Sequence, residues 1–553
     1  MSIKKEKQQL QDNFLKLVTE YLDETKPLDL KELEIRFGTR GIKKTTKIDF
    51  DNVIEKLVSK GFMCFNKGGT YELRIQNEFL DARSGETKVS NVRTEISGTS
   101  AIQAYCKTNR IIESSEDLTT IPEDVKFTQK RYSTNSEGAL YPVNFDDFNF
   151  RVTLQEENVL PKNGGFVKNI VDKWNQSKKI FRYMNRITLI NDEYPLRIDL
   201  STVKTSKKVR GRMIPEYTIS DADLFNNEEE YEIEIEILSS EIQKNEKYQN
   251  PKFLMASIRK CIMIILSGLQ KTNFPISYSE QAAVLSEYSD LFMKEERSKE
   301  AEEDIYRADS RRPSTKKILP KHFIGPSSYT LQMSNIGEIE ADDASPNIRN
   351  NYTVTDKADG LRKLLFISKE ESRKGRIYLI DTNMNVEFTG SRTENIELFN
   401  TLIDGEHILH NKTGGFINLY AAFDIYFIKG NDVRGFNFIN ETSTDSKSIM
   451  RLPMLNNVIR DLDIKSIIRD SPNSFRLEPK QFQYGNGEAI FDACRKILES
   501  ETDGLFEYET DGLIFTPASI GVGIDKAGEQ PKNFKTTWKH SFKWKPPKFN
   551  TID

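Results

Sequence analysis

Glutamates at alternate positions of two short segments could bind a divalent metal ion. Glu32 and Glu34 lie two residues apart in ELEIRFG, and three more glutamates alternate in YEIEIEI, namely Glu232, Glu234 and Glu236. Because successive side chains of a β-strand point to opposite faces, each set shares one face of a strand. Crowded carboxylates repel one another unless a cation lies among them, and oxygen ligands without histidine or thiolate suit Mg²⁺ or Mn²⁺ better than Zn²⁺. A single pair of alternating glutamates more often marks a charged, exposed edge strand. Two segments with alternating glutamates favour a metal site.

Basic residues occupy the strands predicted between these two acidic segments. They are Arg93, Lys130, Arg151, Arg182, Arg186, Arg197 and Lys204. A metal ion on one wall and cationic side chains on the others would form a cage for a polyanion such as a triphosphate. All four histidines lie after position 320, so chemistry in the first 320 residues cannot use imidazole as a base or a metal ligand.

A second group of chemically competent residues is centred on Lys357, in TDKADGLRK (355–363). A lysine amine attacks phosphorus only in its neutral form, which neighbouring cations or a metal ion favour. The K-x-D-G pattern is weak alone, but four further segments follow it: IDGEH (403–407), YAAFDIY (420–426), ETDGLIFTP (509–517) and SFKWKPPKF (541–549). In the last segment Lys543 and Lys545 are two residues apart and therefore share a face of the predicted strand.

The elements that must position these residues are mainly strands. Short alternating runs follow a helix-prone start and continue to about residue 237, and their charged faces predict either solvated outer faces or a closed barrel with a polar lumen. A helical period follows, with a charged stretch at 294–318, and a second β-rich region then carries helical interludes near 391–402 and 486–500. The sequence thus predicts an α+β protein with three regions: 1–245, a helical and charged linker region at 246–318, and 319–553.

Composition excludes several classes of protein. The 553 residues include 80 Lys and Arg against 84 Asp and Glu, and a net charge of −4 excludes a globally basic nucleic-acid binder. The four cysteines are too far apart for a zinc motif or a disulfide framework, which indicates a reducing compartment. The N-terminus lacks the apolar stretch of a signal peptide, and the most apolar segment carries Arg259 and Lys260 at its centre. We therefore expect neither export nor a membrane span.

The two acidic segments resemble the first and last metal-binding strands of triphosphate tunnel metalloenzymes, specifically the RNA triphosphatases of fungal and large-DNA-virus capping enzymes. The resemblance covers about residues 30–240 and implies an eight-stranded antiparallel β-tunnel. It implies that Glu32, Glu34 and Glu236 hold the metal, and that Glu232 and the catalytic Glu234 complete this site and align the attacking water. It also implies that Arg151, Arg182 and Arg197 grip the phosphates, with Arg186 and Lys204 as close competitors.

The motifs of residues 320–553 resemble those of covalent nucleotidyltransferases, and GTP-using capping guanylyltransferases more than ATP-using ligases. FKWKPP is similar to the last capping strand, and Thr355 stands where ligases commonly have glutamate. The resemblance implies antiparallel sheets with flanking helices and GMP linked to Lys357. The implied substrate and metal residues are Arg362 and Glu406 at the ribose, Phe423 stacked on guanine, Asp511 on a metal ion, and Lys543 and Lys545 at the α-phosphate.

Together these resemblances predict a bifunctional mRNA capping enzyme of the giant-virus type, acting on 5′-triphosphate RNA and GTP. The sequence stops at FNTID, about where the OB-fold domain usual in guanylyltransferases should begin. With that domain absent, we expect either a fragment of a longer capping enzyme or an OB-fold module supplied by another chain. A cap methyltransferase domain or subunit is an expected partner, and the expected location is the cytoplasm (a viral factory) or the virion. Two alternatives stay open: an ATP-dependent RNA ligase joined to a polyphosphatase, and a non-enzymatic scaffold that binds RNA ends.

Overall fold

The protein consists of two compact units, residues 1–271 and 272–553. A computed structural model describes residues 3–38, 42–81, 84–111, 121–293, 318–338, 345–370, 373–440, 449–468, 475–526 and 528–547. The boundary between the units falls inside the predicted linker region 246–318. Residues 294–317, the charged part of that region, lie outside the described residues.

In the first unit, the described residues form eight long strands and six α-helices. The helices are α1 (Ile3–Leu22), α2 (Lys47–Ser59), α3 (Thr99–Thr108), α4 (Gly165–Asp172), α5 (Ser239–Lys244) and α6 (Pro251–Gln270). The long strands are β1 (Lys31–Phe37), β2 (Thr70–Leu80), β3 (Val92–Ser97), β4 (Val125–Tyr132), β5 (Phe150–Val159), β6 (Lys179–Ile190), β7 (Leu196–Thr205) and β8 (Glu230–Ile237). Short strands of two or three residues are Met63–Cys64, Thr87–Val89, Thr134–Asn135, Gly138–Ala139, Val143–Phe145, Lys208–Val209 and Arg212–Met213.

Strands β1 to β8 close into a barrel. Going round it, β1 pairs with β5, then β4, β3, β2, β6, β7 and β8 follow, and β8 pairs again with β1. Every one of these pairings is antiparallel. The predicted eight-stranded antiparallel tunnel is therefore confirmed, and the solvated outer faces that the sequence left open are ruled out.

The barrel is apolar outside and polar inside. In β1, Leu33, Ile35 and Phe37 point outward into a core that also contains side chains of α1, α2 and α6. Glu32 and Glu34 alternate with them and therefore face the lumen. The helices thus cover the outer surface, and the inner surface is left for charged groups.

Helix α6 belongs to the outer layer of this unit. Its N-terminus is capped by Asn250, whose side chain accepts a hydrogen bond from the backbone N–H of Lys252 at 2.9 Å. Within the described residues, α6 is long and apolar enough to cross a membrane by length and composition alone. Its buried Leu254, Ile258 and Ile265 pack in the core outside the barrel. Its apolar side is therefore covered by this unit itself.

The described residues of the second unit form three α-helices and two principal sheets. The helices are α7 (Tyr278–Asp290), α8 (Arg451–Asp461) and α9 (Ala489–Thr502). The strands are β9 (Ser327–Thr330), β10 (Tyr352–Ala358), β11 (Leu361–Ile367), β12 (Arg376–Asp381), β13 (Val386–Thr393), β14 (Leu402–His410), β15 (Phe416–Ile428), β16 (Ile464–Ser466), β17 (Arg476–Pro479), β18 (Gln483–Gly485), β19 (Thr510–Pro517) and β20 (Thr537–Trp544), with a short strand Asn431–Asp432.

One sheet has the order β9-β20-β19-β10-β18, and the other has the order β15-β14-β11-β12-β13-β16, with β17 and the short strand on β15. Most pairings are antiparallel, but β9 with β20 and β15 with β17 are parallel. The sheet-rich fold with flanking helices is as predicted. The helical interlude predicted near 391–402 is wrong: β13 extends to Thr393, and a single 3₁₀ turn, Ile396–Leu398, follows it.

Candidate active sites

Strand register brings the three predicted metal-binding glutamates together in the barrel lumen. Glu34 in β1 lies directly opposite Glu236 in β8. Glu32 is two residues before Glu34 and shares its face. Residues about 200 positions apart in sequence therefore form one acidic cluster.

Each of these glutamates is held by a cation from the barrel wall. Lys130 of β4 forms an ion pair with Glu32. Arg36 lies 2.9 Å from Glu34, and Arg197 lies 2.8 Å from Glu236. In the part of the chain that the structure describes, no three acidic, histidine or cysteine side chains are already arranged to hold a metal ion. A metal ion would compete with these ion pairs.

The electrostatics of the cluster fit a cation-binding role. Burial, and then the charge of Glu234, raise the pKa of Glu34 to about 8, against the opposing effect of Arg36. Burial also raises the pKa of Glu236 to about 7, although Arg197 lowers it. The Oε2 atom of Glu34 is buried and has no hydrogen-bond partner. Additional positive charge at this point would stabilise both carboxylates and occupy that oxygen.

Glu234, predicted as catalytic, is surrounded by arginines. It lies 2.9 Å from Arg36 and 3.2 Å from Arg186. Burial by itself would raise its pKa, but Arg36, Arg186 and Arg182 together lower the pKa of Glu234 to about 2. Glu234 is therefore ionised and fixed in place. Glu232 shares its face and forms an ion pair with Arg182.

The predicted phosphate-binding arginines all face the lumen, but two are already paired. Arg182 contacts Glu232, and Arg197 contacts both Glu236 and Asp199, the latter at 3.1 Å. Arg151 instead donates a hydrogen bond to Asn144 at 2.7 Å. Several other charged residues of the lumen were not predicted from the sequence: Arg36, Glu72, Arg74, Glu95, Glu157 and Asp199. Strand alternation alone could have indicated Arg36, two residues after Glu34.

A cavity of about 280 Å³ in the second unit collects most of the remaining predicted residues. Those that line it are Lys357, Arg362, Glu406, Phe423 and Lys543. Lys357 lies near the end of β10 in the five-stranded sheet, and the chain then turns through Asp359 and Gly360 into β11 of the other sheet. A Cβ atom on Gly360 would lie 2.7 Å from Cγ of Glu406. Glycine is needed there because the turn passes directly over the Glu406 side chain.

Asp511 joins two of the predicted lysines. Its Oδ1 accepts a hydrogen bond from Lys357 Nζ at 2.6 Å, and its Oδ2 lies 2.7 Å from Lys545 Nζ. Burial acts to raise the pKa of Asp511, but the hydrogen bonds from Lys357 and Lys545 outweigh it and lower that pKa. Gly512 has a φ of 143°, and a Cβ there would lie 1.9 Å from the carbonyl oxygen of Trp544. Gly512 therefore lets β19 approach β20 closely enough for Asp511 to contact Lys545.

Arg362 is held in place by hydrogen bonds to other groups of the protein. It donates to Asp404 from Nε at 3.1 Å and from Nη2 at 2.5 Å, and from Nη1 to the carbonyl of Pro326 at 2.7 Å. Its guanidinium lies 5.5 Å from the ring centre of Phe423. Arg362 also lies opposite Glu406 in the strand register. Arg362, Glu406 and Phe423 are therefore brought together, as the resemblance implied.

Glu406 is the most electrostatically perturbed acid of the cavity. Burial raises the pKa of Glu406 to about 7, and Lys480 and Arg362 oppose this only in part. Lys480 lines the cavity and was missed by the sequence analysis. Its Nζ lies 3.0 Å from Asp356 Oδ2, which also accepts a hydrogen bond from Tyr508 at 3.2 Å. A single lysine after a proline carries no spacing signal that would have identified it.

Comparison with known proteins finds sequence similarity to mRNA capping enzymes. Residues 321–547 match the family described as mRNA capping enzyme, catalytic domain. A probable mRNA-capping enzyme of Acanthamoeba polyphaga mimivirus is 24% identical over 462 residues, which are 76% of this chain and 33% of that protein. An mRNA-capping enzyme of Danio rerio is 28% identical over 238 residues, which are 42% of this chain and 34% of that protein.

Among solved structures, the mimivirus capping enzyme triphosphatase aligns with 46% of this chain and 95% of its own, at 17% identity and a TM-score of 0.28. The chain spans about a third of the length of the curated relatives it matches. Residues 272–553 are about half of the chain, so a match over 76% of it extends into the first unit. The predicted resemblance to giant-virus capping enzymes is thus confirmed.

Proposed function

We propose that this chain catalyses two steps of mRNA 5′ capping, RNA triphosphate hydrolysis in the barrel and GMP transfer in the second unit. The observation that carries the proposal is the placement of Lys357 at the junction of the two sheets. There it lines a cavity together with Arg362, Glu406 and Lys543. An amine among phosphate-binding cations is the arrangement that a lysine nucleophile requires.

In the second unit, the neutral amine of Lys357 would attack the α-phosphorus of GTP. The N–P bond forms, the bond from the α-phosphorus to the bridging oxygen breaks, and pyrophosphate leaves. The ammonium group must lose a proton before this attack, and Asp511 Oδ1 already accepts an N–H from Lys357 Nζ at 2.6 Å. A terminal phosphate oxygen of diphosphate RNA then attacks the linked phosphorus, the N–P bond breaks, and the amine is restored.

In the barrel, the lumen would bind the 5′-triphosphate of RNA and release its γ-phosphate as water attacks. The arginine-bearing strands β6 and β7 follow the acidic strands β1 and β8 around the barrel, with β7 paired to β8, so a phosphate chain in the lumen would contact glutamate-bound metal and arginines together. The product has the 5′-diphosphate end that the second unit requires. This order of reactions is a chemical reason for carrying both units on one chain.

Divalent metal ions suit both units. We propose that the three lumen glutamates hold one Mg²⁺ or Mn²⁺ ion and Asp511 another, where an ion would screen phosphate charge and withdraw electrons from phosphorus. The buried Oε2 atom of Glu34 and the raised pKa values of Glu34 and Glu236 support the first assignment. Each oxygen of Asp511 contacts a lysine in this structure, so the second ion would have to displace at least one of those lysines.

Separate assays on the full chain test this proposal. We expect Glu34→Gln to abolish phosphate release from γ-phosphate-labelled RNA and to leave GMP labelling by α-phosphate-labelled GTP intact. Lys357→Ala should do the reverse. Labelling by ATP in place of GTP would instead support the ligase alternative. If either substitution removes both activities from a folded protein, the assignment of two independent sites is wrong.

A further inference from the structure

Two exposed tyrosines lie beside the acidic cluster on the barrel wall. Tyr132 ends β4 and lies opposite Gln155 of β5, which in turn lies opposite Glu32 of β1. Paired residues point to the same face, so Tyr132 faces the lumen side. The ring of Tyr141 lies 6.4 Å from the ring of Tyr132. The side chains are 41% and 73% exposed, respectively.

This aromatic pair differs from the other large apolar side chains of the barrel strands. Leu154, the neighbour of Gln155 on β5, points outward into the buried core, as does Val152. Neither tyrosine belongs to a core cluster of the described residues. Core packing of the barrel therefore does not account for these two exposed rings.

A lumen cation that lacks an acidic partner among the described residues, Arg151, lies on the same wall, four residues and about 13 Å along β5 from Gln155. Arg151 donates to Asn144, which lies opposite it in the short strand that follows Tyr141. Within the described residues, no carboxylate lies within 4 Å of Arg151, unlike the paired Arg36 and Arg197. A guanidinium without an acidic partner and exposed aromatic rings on one barrel wall together offer the two contacts that a single-stranded nucleic acid uses, phosphate charge and base stacking.

We infer that Tyr132 and Tyr141 stack on the first base of 5′-triphosphate RNA, while Arg151 binds a phosphate of the same strand. Tyr132 is separated from Glu32 by two strand spacings, about 10 Å, which is comparable to the length of an extended triphosphate. A base held at Tyr132 would thus place the terminal phosphate among the lumen glutamates. Stacking accepts every base, so the pair would select a nucleoside end without selecting its sequence. This inference rests on the proposed triphosphatase activity.

Two substrates distinguish base stacking by the tyrosines from phosphate hydrolysis at the metal site. Inorganic tripolyphosphate offers phosphates without a base, and triphosphate RNA offers both. For the full chain with Tyr132→Ala or Tyr141→Ala, we expect the ratio of KM for RNA to KM for tripolyphosphate to rise about 5- to 150-fold. The kcat for RNA should change much less than KM. Tyr132→Phe, which keeps the ring, should restore the wild-type ratio.

Tyr217 provides a matched control, because it is a similarly exposed tyrosine (48%) on a loop outside the eight barrel strands. Tyr217→Ala should leave the ratio unchanged. The inference is overturned if the alanine variants keep the wild-type ratio, or if Tyr132→Phe behaves like Tyr132→Ala. If the wild-type chain hydrolyses neither substrate with Mg²⁺ or Mn²⁺ present, the proposed triphosphatase function itself fails, which is a distinct result.

Discussion

Replacing Glu406 with glutamine should reduce the pH dependence of the second unit's stability. Burial raises the pKa of Glu406 from its ordinary value of 4.5 to about 7 in the folded protein. Below the ordinary pKa, the carboxyl group is protonated in both the folded and unfolded states. As pH rises from 4.5 towards 7, the unfolded chain loses this proton first, so the free energy of unfolding falls; above 7 the loss is complete.

The size of this effect follows from the difference between the two pKa values. At about 1.4 kcal/mol per pH unit, the difference corresponds to a loss of about 3 kcal/mol in the free energy of unfolding. Glutamine has nearly the same shape and no charge at any pH. The variant should therefore keep this stability at high pH while matching the wild type at low pH.

Urea unfolding of the full chain at about pH 4.5, 6 and 8 would measure this difference. Two of the three tryptophans, Trp538 and Trp544, lie in the second unit. A Trp174→Phe background would therefore restrict the fluorescence signal to that unit. An equal pH dependence for the wild type and Glu406→Gln would refute the argument that burial governs this carboxyl group.

The same titration predicts an effect on GMP transfer. Deprotonated Glu406 accepts hydrogen bonds, whereas its protonated form also donates one. Labelling of Lys357 by GTP should therefore rise through about pH 7 in the wild type. Glu406→Gln should label more slowly and without that rise.

Three other substitutions probe single contacts. Lys545→Ala should slow GMP labelling about 100-fold, because it removes a positive charge that would stabilise the negative charge on the phosphate oxygens in the transition state. Phosphate release by the barrel should not change. Gly512→Ala should lower the unfolding free energy by roughly 1–3 kcal/mol, since alanine is strained at its positive φ and meets the backbone of β20; Gly504→Ala, with open space around it, should cost less. Arg451→Met should cost about 3–5 kcal/mol by leaving buried Asp424 unpaired, and adding Asp424→Asn should recover part of that loss in urea titrations.

Local alternation in the sequence was sufficient to assign side chains to faces. The period of two in β1 and β8 determines that their glutamates share one side, and the same rule extends to Arg36. Four short motifs, assigned through their resemblance to nucleotidyltransferases, supplied five of the residues that line the cavity. These features depend on neighbours within a few residues, which is why they could be predicted without the fold.

Helix α6 shows where a local pattern was insufficient. Its helical period and apolar character were evident from the sequence, but the surface on which it packs, the outside of the barrel, was not. Charge and helical period describe one segment at a time. Whether an apolar helix is a connection or part of a core depends on the surface that another segment offers it.

Tertiary structure alone decided which groups meet. Register across the barrel sets Glu34 opposite Glu236 and brings Lys130 to Glu32, and the sheet containing β10 and β19 brings Asp511 to Lys357. Lys480 lines the cavity, although no pattern in the sequence indicates that it does. Side-chain direction along a strand follows from backbone geometry and is local, whereas the partner of a charge depends on pairings between distant segments. Those pairings determine burial and the neighbouring charges, and thereby the protonation of each acid in the two sites.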